Sequence, residues 1–433
     1  MLRIANCDYM IDKSVFFQKY QSFDKRFNAH KDKSYENLVN FSNVADKPIH
    51  RWFNYQEGYS PELVIKVLDR LKVSDTAKFV FDPFAGSGTT LLVAKQFGMK
   101  SLGFEINPFS AFIANVKTRN YTKSEINDIR AFKVPTEQQP HDHKNYELKI
   151  VENLFDKDKL DKIELLKKEI QNIADEKVKN ALSFCLFSIL EDISNYRKGG
   201  NGLKKKRIKT DIDPFIAFQN KKAAICNDLE KISDGPEPTI INNSCLEIER
   251  YEPIPEIDIS IFSPPYANCF DPFEVYKMEL WIGEFVKSYK ELREKRKRAL
   301  RSNLNADLRK PLNKEHRTEL LNEILNYLSE CKLWDKRLPQ MLDGYFYDMY
   351  ALLNKIYQKT KKGGYCVIVV GNSAYGNLAI PTDVLLAQLG EKAGFRVKEI
   401  IVARKNETSS QQHKNLGVLL EYLRESIVVM KNE

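Results

Sequence analysis

The stretch Phe79–Thr90 has the residue types and spacing of a cofactor-binding turn. It reads as a strand that breaks at Asp82-Pro83, a turn that contains Gly86 and Gly88, and the start of a helix. Glycine allows backbone geometry that a Cβ would forbid, and it lets a ligand lie against the main chain. Because α/β folds hold nucleotide-like cofactors at such turns, we expect a cofactor at the carboxyl end of this strand.

An acidic residue narrows the class of cofactor. Glu105 ends the next apolar run, 101–105, where a carboxylate that binds ribose hydroxyls is expected. The turn lacks the third glycine of the dinucleotide pattern and the lysine of the phosphate-binding loop. These features favour a nucleoside cofactor without a pyrophosphate.

A second reactive stretch follows another apolar strand, 257–262. It combines a hydroxyl, two prolines that leave carbonyls without ladder partners, and a flat aromatic ring, in the order Ser263, Pro264, Pro265 and Tyr266. An isolated stretch of this kind would be a rigid turn with a core tyrosine. Strand-terminal loops of one sheet share a rim, however, so we expect this loop and the glycine turn to face the same site.

The bulk properties exclude several classes of protein. The 433 residues are 42% hydrophobic and 29% charged, which is typical of a globular chain and not of a disordered one. No apolar run approaches the ~20 residues of a membrane span, and we expect no signal peptide in the first residues. The seven cysteines form no C-x-x-C pair, so we expect neither disulfides nor a metal site, and we expect a cytoplasmic location.

The hydrophobic patterns predict an α/β fold. Seven strands are expected, near residues 79, 101, 239, 257, 365, 397 and 426, in a mostly parallel sheet. Only a polar loop separates the last two strands, which predicts one antiparallel strand, in a pair at the edge of the sheet, because parallel neighbours need a crossover. Two charged and largely helical segments, 118–235 and 270–342, interrupt the alternation of strands and helices.

Basic residues cluster within both interruptions, although the net charge of +9 is moderate for this length. The first cluster is interleaved with glycines, and we expect a flexible loop that contacts nucleic-acid phosphates through Arg197, Lys198, Lys204, Lys205, Lys206 and Arg207, with Asn201 able to reach a base. The second cluster is the helical segment Lys287–Arg301, with eight basic residues. A solvated helix face explains the second cluster as well as a DNA contact does.

The two motifs together closely resemble the amino-group DNA methyltransferases, which use S-adenosylmethionine. The resemblance implies a Rossmann-like methyltransferase core. It implies catalysis by Ser263–Tyr266, and cofactor binding by Asp82, Pro83, Phe84, Ala85, Gly86, Ser87, Gly88, Thr89 and Glu105. In this family the preceding loop also touches the cofactor, which adds Phe53, Tyr55, Gly58 and Ser60.

The resemblance also divides the chain. It implies an N-terminal lead-in (1–47), a cofactor-binding part of the core (48–117), a helical basic insertion (118–235), a catalytic part of the core (236–269), a second charged insertion (270–342) and a last part of the core (343–433). Both insertions are candidate DNA-binding regions, and the first is also a candidate target-recognition region.

The serine at the head of the second motif is similar to the cytosine-N4 branch, since adenine-N6 enzymes more often carry Asp or Asn there. The resemblance therefore implies methylation of cytosine N4 in double-stranded DNA, within a restriction-modification system whose endonuclease acts separately. Adenine-N6 methylation remains an alternative, because many cytosine-N4 relatives carry the two motifs in the reverse order. An RNA guanine-N2 methyltransferase and a catalytically silent DNA-binding module also remain open.

Overall fold

A computed structural model describes residues 13–41, 44, 46–135, 148, 151–200, 202–406 and 414–433. The strands are β1 (Ala29–Lys31), β2 (Phe79–Asp82), β3 (Lys100–Phe104), β4 (Tyr196–Lys198), β5 (Leu203–Lys205), β6 (Thr239–Ile241), β7 (Ile257–Phe262), β8 (Thr360–Gly371), β9 (Ser373–Tyr375), β10 (Leu378–Ile380), β11 (Arg396–Lys405) and β12 (Arg424–Lys431).

The helices that precede β6 are α1 (Lys13–Arg26), α2 (Pro61–Arg70), α3 (Thr89–Gln96), α4 (Pro108–Thr118), α5 (Lys123–Ala131), α6 (Val151–Leu154), α7 (Lys157–Gln171), α8 (Glu176–Ile193) and α9 (Pro214–Leu229). Those that follow β7 are α10 (Pro272–Val275), α11 (Lys277–Ile282), α12 (Tyr289–Arg298), α13 (Glu319–Glu330), α14 (Leu338–Lys359) and α15 (Thr382–Ala393).

The main sheet has the order β1-β11-β12-β8-β7-β2-β3-β6. Only β12 runs antiparallel to its neighbours, which confirms the predicted mostly parallel α/β sheet with one antiparallel strand. In the described residues the sheet has eight strands, not the predicted seven. The additional strand, β1, pairs in parallel with β11, so the antiparallel β11–β12 pair does not lie at the sheet edge as predicted. The three polar or small residues of β1 give no apolar run to detect.

Alternating side chains of the central strands bury both faces of the sheet. In β8, Ile368 and Val370 pack on the face covered by α14 and α15. Val367 and Val369 point to the opposite face, which α2 and α3 cover. Neighbouring side chains of a central strand point to opposite faces, and both faces are buried. The sequence of each parallel strand is therefore a continuous apolar run. Of the helices described, none is long and apolar enough to cross a membrane.

The interruption between β3 and β6 forms a helical layer beside the sheet. Helix α8 contacts α4, α5, α7 and α9, and its apolar side chains share one core with the loop before α2. The carboxylate of Asp228 in α9 holds that loop in place. It accepts hydrogen bonds from the Ile49 amide, from the Arg51 guanidinium and from the Trp52 indole.

Candidate active site

The carboxyl ends of three adjacent strands form the wall of one cleft. In the order β7-β2-β3, the loop after β7 carries Ser263–Tyr266, the turn after β2 carries the glycines, and Glu105 follows β3. The Phe84 and Phe262 rings pack 5.8 Å apart between centroids, which joins the turn to the strand before the second loop. The two stretches therefore face one space.

Most of the residues predicted from sequence line this cleft. They are Tyr55, Gly58, Asp82, Pro83, Phe84, Ala85, Gly86, Ser87, Thr89, Glu105, Ser263, Pro264, Pro265 and Tyr266. Three predicted cofactor residues do not line it. Phe53 packs edge-on against Phe109 in the helical core, the Ser60 hydroxyl accepts the Glu62 amide at the start of α2, and Gly88 caps α3.

The glycine turn has backbone geometry that requires glycine. Gly86 has a φ of +51°, and a Cβ at this position would lie 3.1 Å from the Tyr55 ring. Gly88 has a φ of +86°, and a Cβ there would lie 3.1 Å from the Ala114 side chain. The turn passes closely between the Tyr55 ring and α4, and it can do so only without side chains at these two positions.

The carboxylate of Glu105 is tied to the same turn. Its Oε2 accepts the Gly86 amide at 2.9 Å, and its Oε1 accepts the Asn107 amide at 2.7 Å. Burial raises the pKa of Glu105 to about 7, although these amide hydrogen bonds oppose the shift. Asp82, which accepts the Phe84 amide at 2.9 Å, has a pKa that burial likewise raises to about 7.

A stacked pair of tyrosines stands at one side of the cleft, where Tyr55 lines the wall and Tyr276 packs against it. The Tyr55 and Tyr276 rings are 5.2 Å apart and differ by 4° in orientation. The Tyr276 hydroxyl donates to the carboxylate of Glu57, a residue that lines the cleft. Tyr276 belongs to the second charged segment, so this segment helps to shape the cleft.

Sequence reasoning missed two residues at the far side of the cleft. Arg404 lies near the end of β11 and Glu425 near the start of β12. The Arg404 Nε donates to Glu425 at 2.7 Å, and the Tyr266 hydroxyl donates to the other carboxylate oxygen at 2.5 Å. No local motif marks either residue.

The predicted flexible basic loop is instead an antiparallel hairpin of β4 and β5. Arg197 pairs with Lys204, and the turn closes through the Gly199 amide and the Gly202 carbonyl. The glycines thus form a compact turn. Exposed basic side chains remain at Arg197, Lys204, Lys205 and Arg207, while Lys206 donates to the carbonyls of Glu191 and Asp192. Asn201 lies outside the described residues.

Lys198 must be removed from the predicted DNA surface. Its ammonium is fully buried, contacts the carboxylate of Glu279 and lies 3.2 Å from that of Glu191. It also lies 4.7 Å from the Phe53 ring centroid and 5.1 Å from that of Tyr276. The side chain links the hairpin to the aromatic wall and is closed to phosphate.

Replacing Lys198 should therefore affect stability. Lys198→Met would leave Glu279 buried without its counter-charge, which costs about 3–5 kcal/mol of unfolding free energy. Urea denaturation measures this loss, and Lys204→Met in the same hairpin is the exposed control, with an expected change within about 0.5 kcal/mol. Equal stability of the two variants would contradict the buried pair.

The second basic cluster is largely used within the protein. Arg296 pairs with Asp271 at 2.9 Å, Arg298 with Glu247 at 2.8 Å, and the buried Arg301 with Asp348 at 2.5 Å. These contacts hold α12 and the segment after it against the rest of the chain. Exposed basic side chains remain at Lys287, Lys290, Arg293 and Lys297.

The chain is similar in sequence to known DNA methyltransferases. The sequence profile of the DNA methylase family of N6 and N4 enzymes matches residues 9–116, which contain the glycine turn and Glu105. The Type II methyltransferase M.AvaI of Nostoc sp. (strain PCC 7120) is 29% identical over 90% of this chain and 88% of its own length. The family model and this relative both support an amino-group DNA methyltransferase.

Two further relatives extend over most of this methyltransferase. The Type II methyltransferase M.BsoBI of Geobacillus stearothermophilus is 29% identical over 90% of the chain and 87% of its own length. M.MvaI of Kocuria varians is 23% identical over 82% of the chain and 84% of its own length. The similarity therefore includes both interruptions of the core as well as the motifs.

The methyl donor of this enzyme is S-adenosylmethionine, and its substrate is DNA. The cleft fits the donor, because the turn after β2 has its backbone exposed at Gly86 and an acidic side chain stands at the end of β3. A ligand without a pyrophosphate needs no third glycine or lysine at this turn.

Proposed function

We propose that this DNA methyltransferase methylates the exocyclic N4 amino group of cytosine at a specific site, as the modification enzyme of a restriction-modification system. The observation that carries the proposal is the single cleft that holds the glycine turn and the Ser263–Tyr266 loop. The relatives are named Type II methyltransferases, which supports the proposed role in a restriction-modification system. In this proposal a cognate endonuclease acts as a separate protein.

In the proposed cofactor site, Asp82 and Gly86 contact the methionine part and Glu105 accepts the ribose hydroxyls. Tyr55 lies beside them as one wall of the cleft. Bound S-adenosylmethionine supplies a methyl group that its sulfonium already activates. The protein therefore has to improve the acceptor and align it with the methyl carbon.

The acceptor is an amino group whose lone pair is conjugated with its ring. We assign Ser263 Oγ and a carbonyl of the Pro264-Pro265 pair as acceptors for its two N–H groups. These hydrogen bonds draw the nitrogen toward a tetrahedral shape and expose its lone pair to the methyl carbon. No covalent intermediate is required.

A base inside a duplex cannot reach this cleft, so the target nucleotide must rotate out of the helix. Tyr266 presents an aromatic ring at the cleft for the extruded base to stack on, and Pro264 and Pro265 hold the loop rigid. Cytosine is favoured because the serine that begins this loop resembles the cytosine-N4 branch of the family.

Nucleoside analysis tests the choice of base. DNA from a host without the enzyme is treated with the protein and the methyl donor and is then digested to nucleosides. Mass spectrometry identifies the methylated nucleoside. The proposal expects N4-methylcytosine, whereas N6-methyladenine would assign the adenine branch. A parallel reaction with tRNA should remain unmethylated, and the Pro265→Ala variant provides the control for contaminating activity.

We assign the exposed side of the β4–β5 hairpin to the DNA backbone. Lys204 and Lys205 are exposed in β5, and Lys198 of β4 anchors the hairpin beside the aromatic wall of the cleft. Lys204→Ala with Lys205→Ala should lower the slope of log binding constant against log salt by about 2, since each lost phosphate contact contributes roughly 0.9. Fluorescence anisotropy with labelled duplex at several salt concentrations measures the slope.

The matched control for the hairpin variant removes two lysine charges from a surface away from the cleft. Lys78 and Lys100 are exposed at the amino ends of β2 and β3, opposite the cleft. Lys78→Ala with Lys100→Ala should leave the salt slope unchanged. An identical slope for both double variants would place DNA on another surface.

A further inference from the structure

One of the three tryptophans stands in solvent. Trp334 is 64% exposed, whereas Trp52 and Trp281 are 1% and 2% exposed. It lies in the turn between α13 and α14, within the second interruption of the core. Tryptophan is highly buried on average, so an indole this exposed is unusual, and it offers a flat apolar surface to a partner.

The turn that carries this indole is fixed on both sides. Leu333 packs against the core of the sheet, and Leu338 at the start of α14 is fully buried. Between them the Asp335 carboxylate accepts the Arg337 amide at 2.8 Å and its guanidinium at 2.7 Å. The backbone around Trp334 is therefore held by packing and hydrogen bonds, and the exposure of the ring is built into the turn.

The same turn borders a segment that lines the cleft. The Arg337 guanidinium donates to the Leu304 carbonyl at 3.3 Å. Two residues earlier, Ser302 lines the cleft, and its carbonyl accepts the Cys269 amide at 3.2 Å. Cys269 follows closely after the Ser263–Tyr266 loop. A single segment therefore separates the turn from that loop.

A second set of contacts joins the turn to the loop. The Tyr375 hydroxyl of β9 donates to the carbonyl of Ala267, the residue directly after Tyr266, at 2.9 Å. At the next position, a Cβ on Gly376 would lie 3.2 Å from the Leu333 side chain. The β9–β10 hairpin thus rests on the loop through one residue and on the turn through the next. Both routes place the turn at the border of the cleft.

The charge around Trp334 is complementary to DNA. Lys332 and Lys336 are exposed on either side of it, and Arg337 is exposed beside its partner Asp335. The segment 332–337 has three basic residues and one acidic residue. Because DNA is the substrate of this enzyme, a planar ring among positive charges fits a base face with its flanking phosphates.

In an intact duplex each base is covered on both faces by its neighbours, so a ring can stack only where a base has left. We propose that the Trp334 indole enters the duplex at the target and stacks on the base beside the vacated place, while Lys332 and Lys336 contact flanking phosphates. The inference rests on the proposed extrusion of the target base into the cleft. The indole then replaces part of the stacking that extrusion removes.

The test uses Trp334 as its own fluorescent probe. Because the other two tryptophans are buried, acrylamide quenches chiefly Trp334 in the free protein. The probe DNA is a duplex with a site that the wild-type protein methylates, located by sequencing the methylated positions. With this duplex and S-adenosylhomocysteine, we expect saturation to remove most of the acrylamide quenching. A duplex of equal length without the site should leave the quenching as in the free protein.

Substitutions measure what the contact contributes to binding. Trp334→Ala should weaken binding of the duplex with the site by roughly 5- to 150-fold in fluorescence anisotropy, the range that base–aromatic stacking supplies. Trp334→Phe keeps a ring and should stay within about three-fold of wild type. Phe97→Ala is the matched control, because Phe97 is an aromatic side chain 39% exposed at the end of α3, near the amino end of β3 and opposite the cleft. It should bind as wild type does.

The remaining outcomes are distinct. Equal shielding by both duplexes, a Trp334 that stays open to acrylamide in the complex, or wild-type affinity in Trp334→Ala would each overturn the inference. Shielding that grows with protein concentration without DNA would assign the indole to a contact between copies of the chain, and it too would overturn the inference. Methylation of adenine at the mapped site would refute the proposed choice of base and leave this test unchanged.

Discussion

Tyr266→Ala should lower the single-turnover rate of DNA methylation by roughly 5- to 150-fold, because base–aromatic stacking contributes about 1–3 kcal/mol. The loss should appear in the methyl-transfer step, since Tyr266 lies on the loop after β7 and Glu105 and the glycine turn remain in place. Rapid-quench measurement with enzyme in excess over DNA gives the rate. Calorimetry with S-adenosylhomocysteine should give an unchanged affinity.

Pro265→Ala tests the same loop without removing the ring. The proline fixes φ and keeps its neighbours from joining the ladder, so alanine loosens the hydrogen-bond acceptors and the ring together. The control is Tyr365→Ala, a half-buried tyrosine of β8 that does not line the cleft. Wild-type rates in both Tyr266→Ala and Pro265→Ala would refute the assignment of this loop.

The two motifs were predictable because their signals are local. A short apolar strand, a glycine turn and a helix start determine the backbone of 79–90 within a dozen residues. Parallel order then brings the ends of β2 and β7 to one rim, as the alternation of strands and helices predicts. The general form of the cleft therefore follows from sequence pattern alone.

In the loop before α2, only some of the residues that the family pattern assigns to the cofactor lie at the cleft. Tyr55 and Gly58 line the cleft, but Phe53 and Ser60 are used by the fold. The Ser60 hydroxyl satisfies a backbone amide at the helix start, a function that the sequence Ser-Pro-Glu already indicates. Burial of Phe53 depends on Phe109 and the helical layer, which local sequence does not determine.

Charge in the sequence was the least reliable guide. Lys198 stands in a run of basic residues and glycines, yet its counter-charge Glu279 is 81 residues away in the second interruption. Arg404 and Glu425 look like ordinary strand ends, and only the position of β12 beside β8 brings them to Tyr266. Contacts between distant elements decide whether a charged side chain meets solvent, a partner or a substrate.

Glu105→Gln should weaken binding of S-adenosylhomocysteine by roughly 10- to 150-fold, because hydrogen bonds to a charged group contribute about 1.5–3 kcal/mol. Glutamine keeps the size of the side chain and one oxygen that can accept the Gly86 amide, so the turn should persist. Calorimetry measures the affinity. Glu36→Gln, the same substitution at an exposed position, should leave it unchanged.

The pH dependence of binding identifies the carboxylate itself. The Glu105 carboxyl has a pKa of about 7 in the free protein because it is buried, and ribose hydroxyls donate more strongly to its ionised form. Wild-type affinity should therefore rise by roughly ten-fold between pH 6 and pH 8 and level off above, with release of a proton on binding. Glu105→Gln has no carboxyl to titrate at this position, so its affinity should lack this rise. A Glu105→Gln variant that retains the full pH dependence would move the ribose site to another acid, with Asp82 the next carboxylate in the cleft.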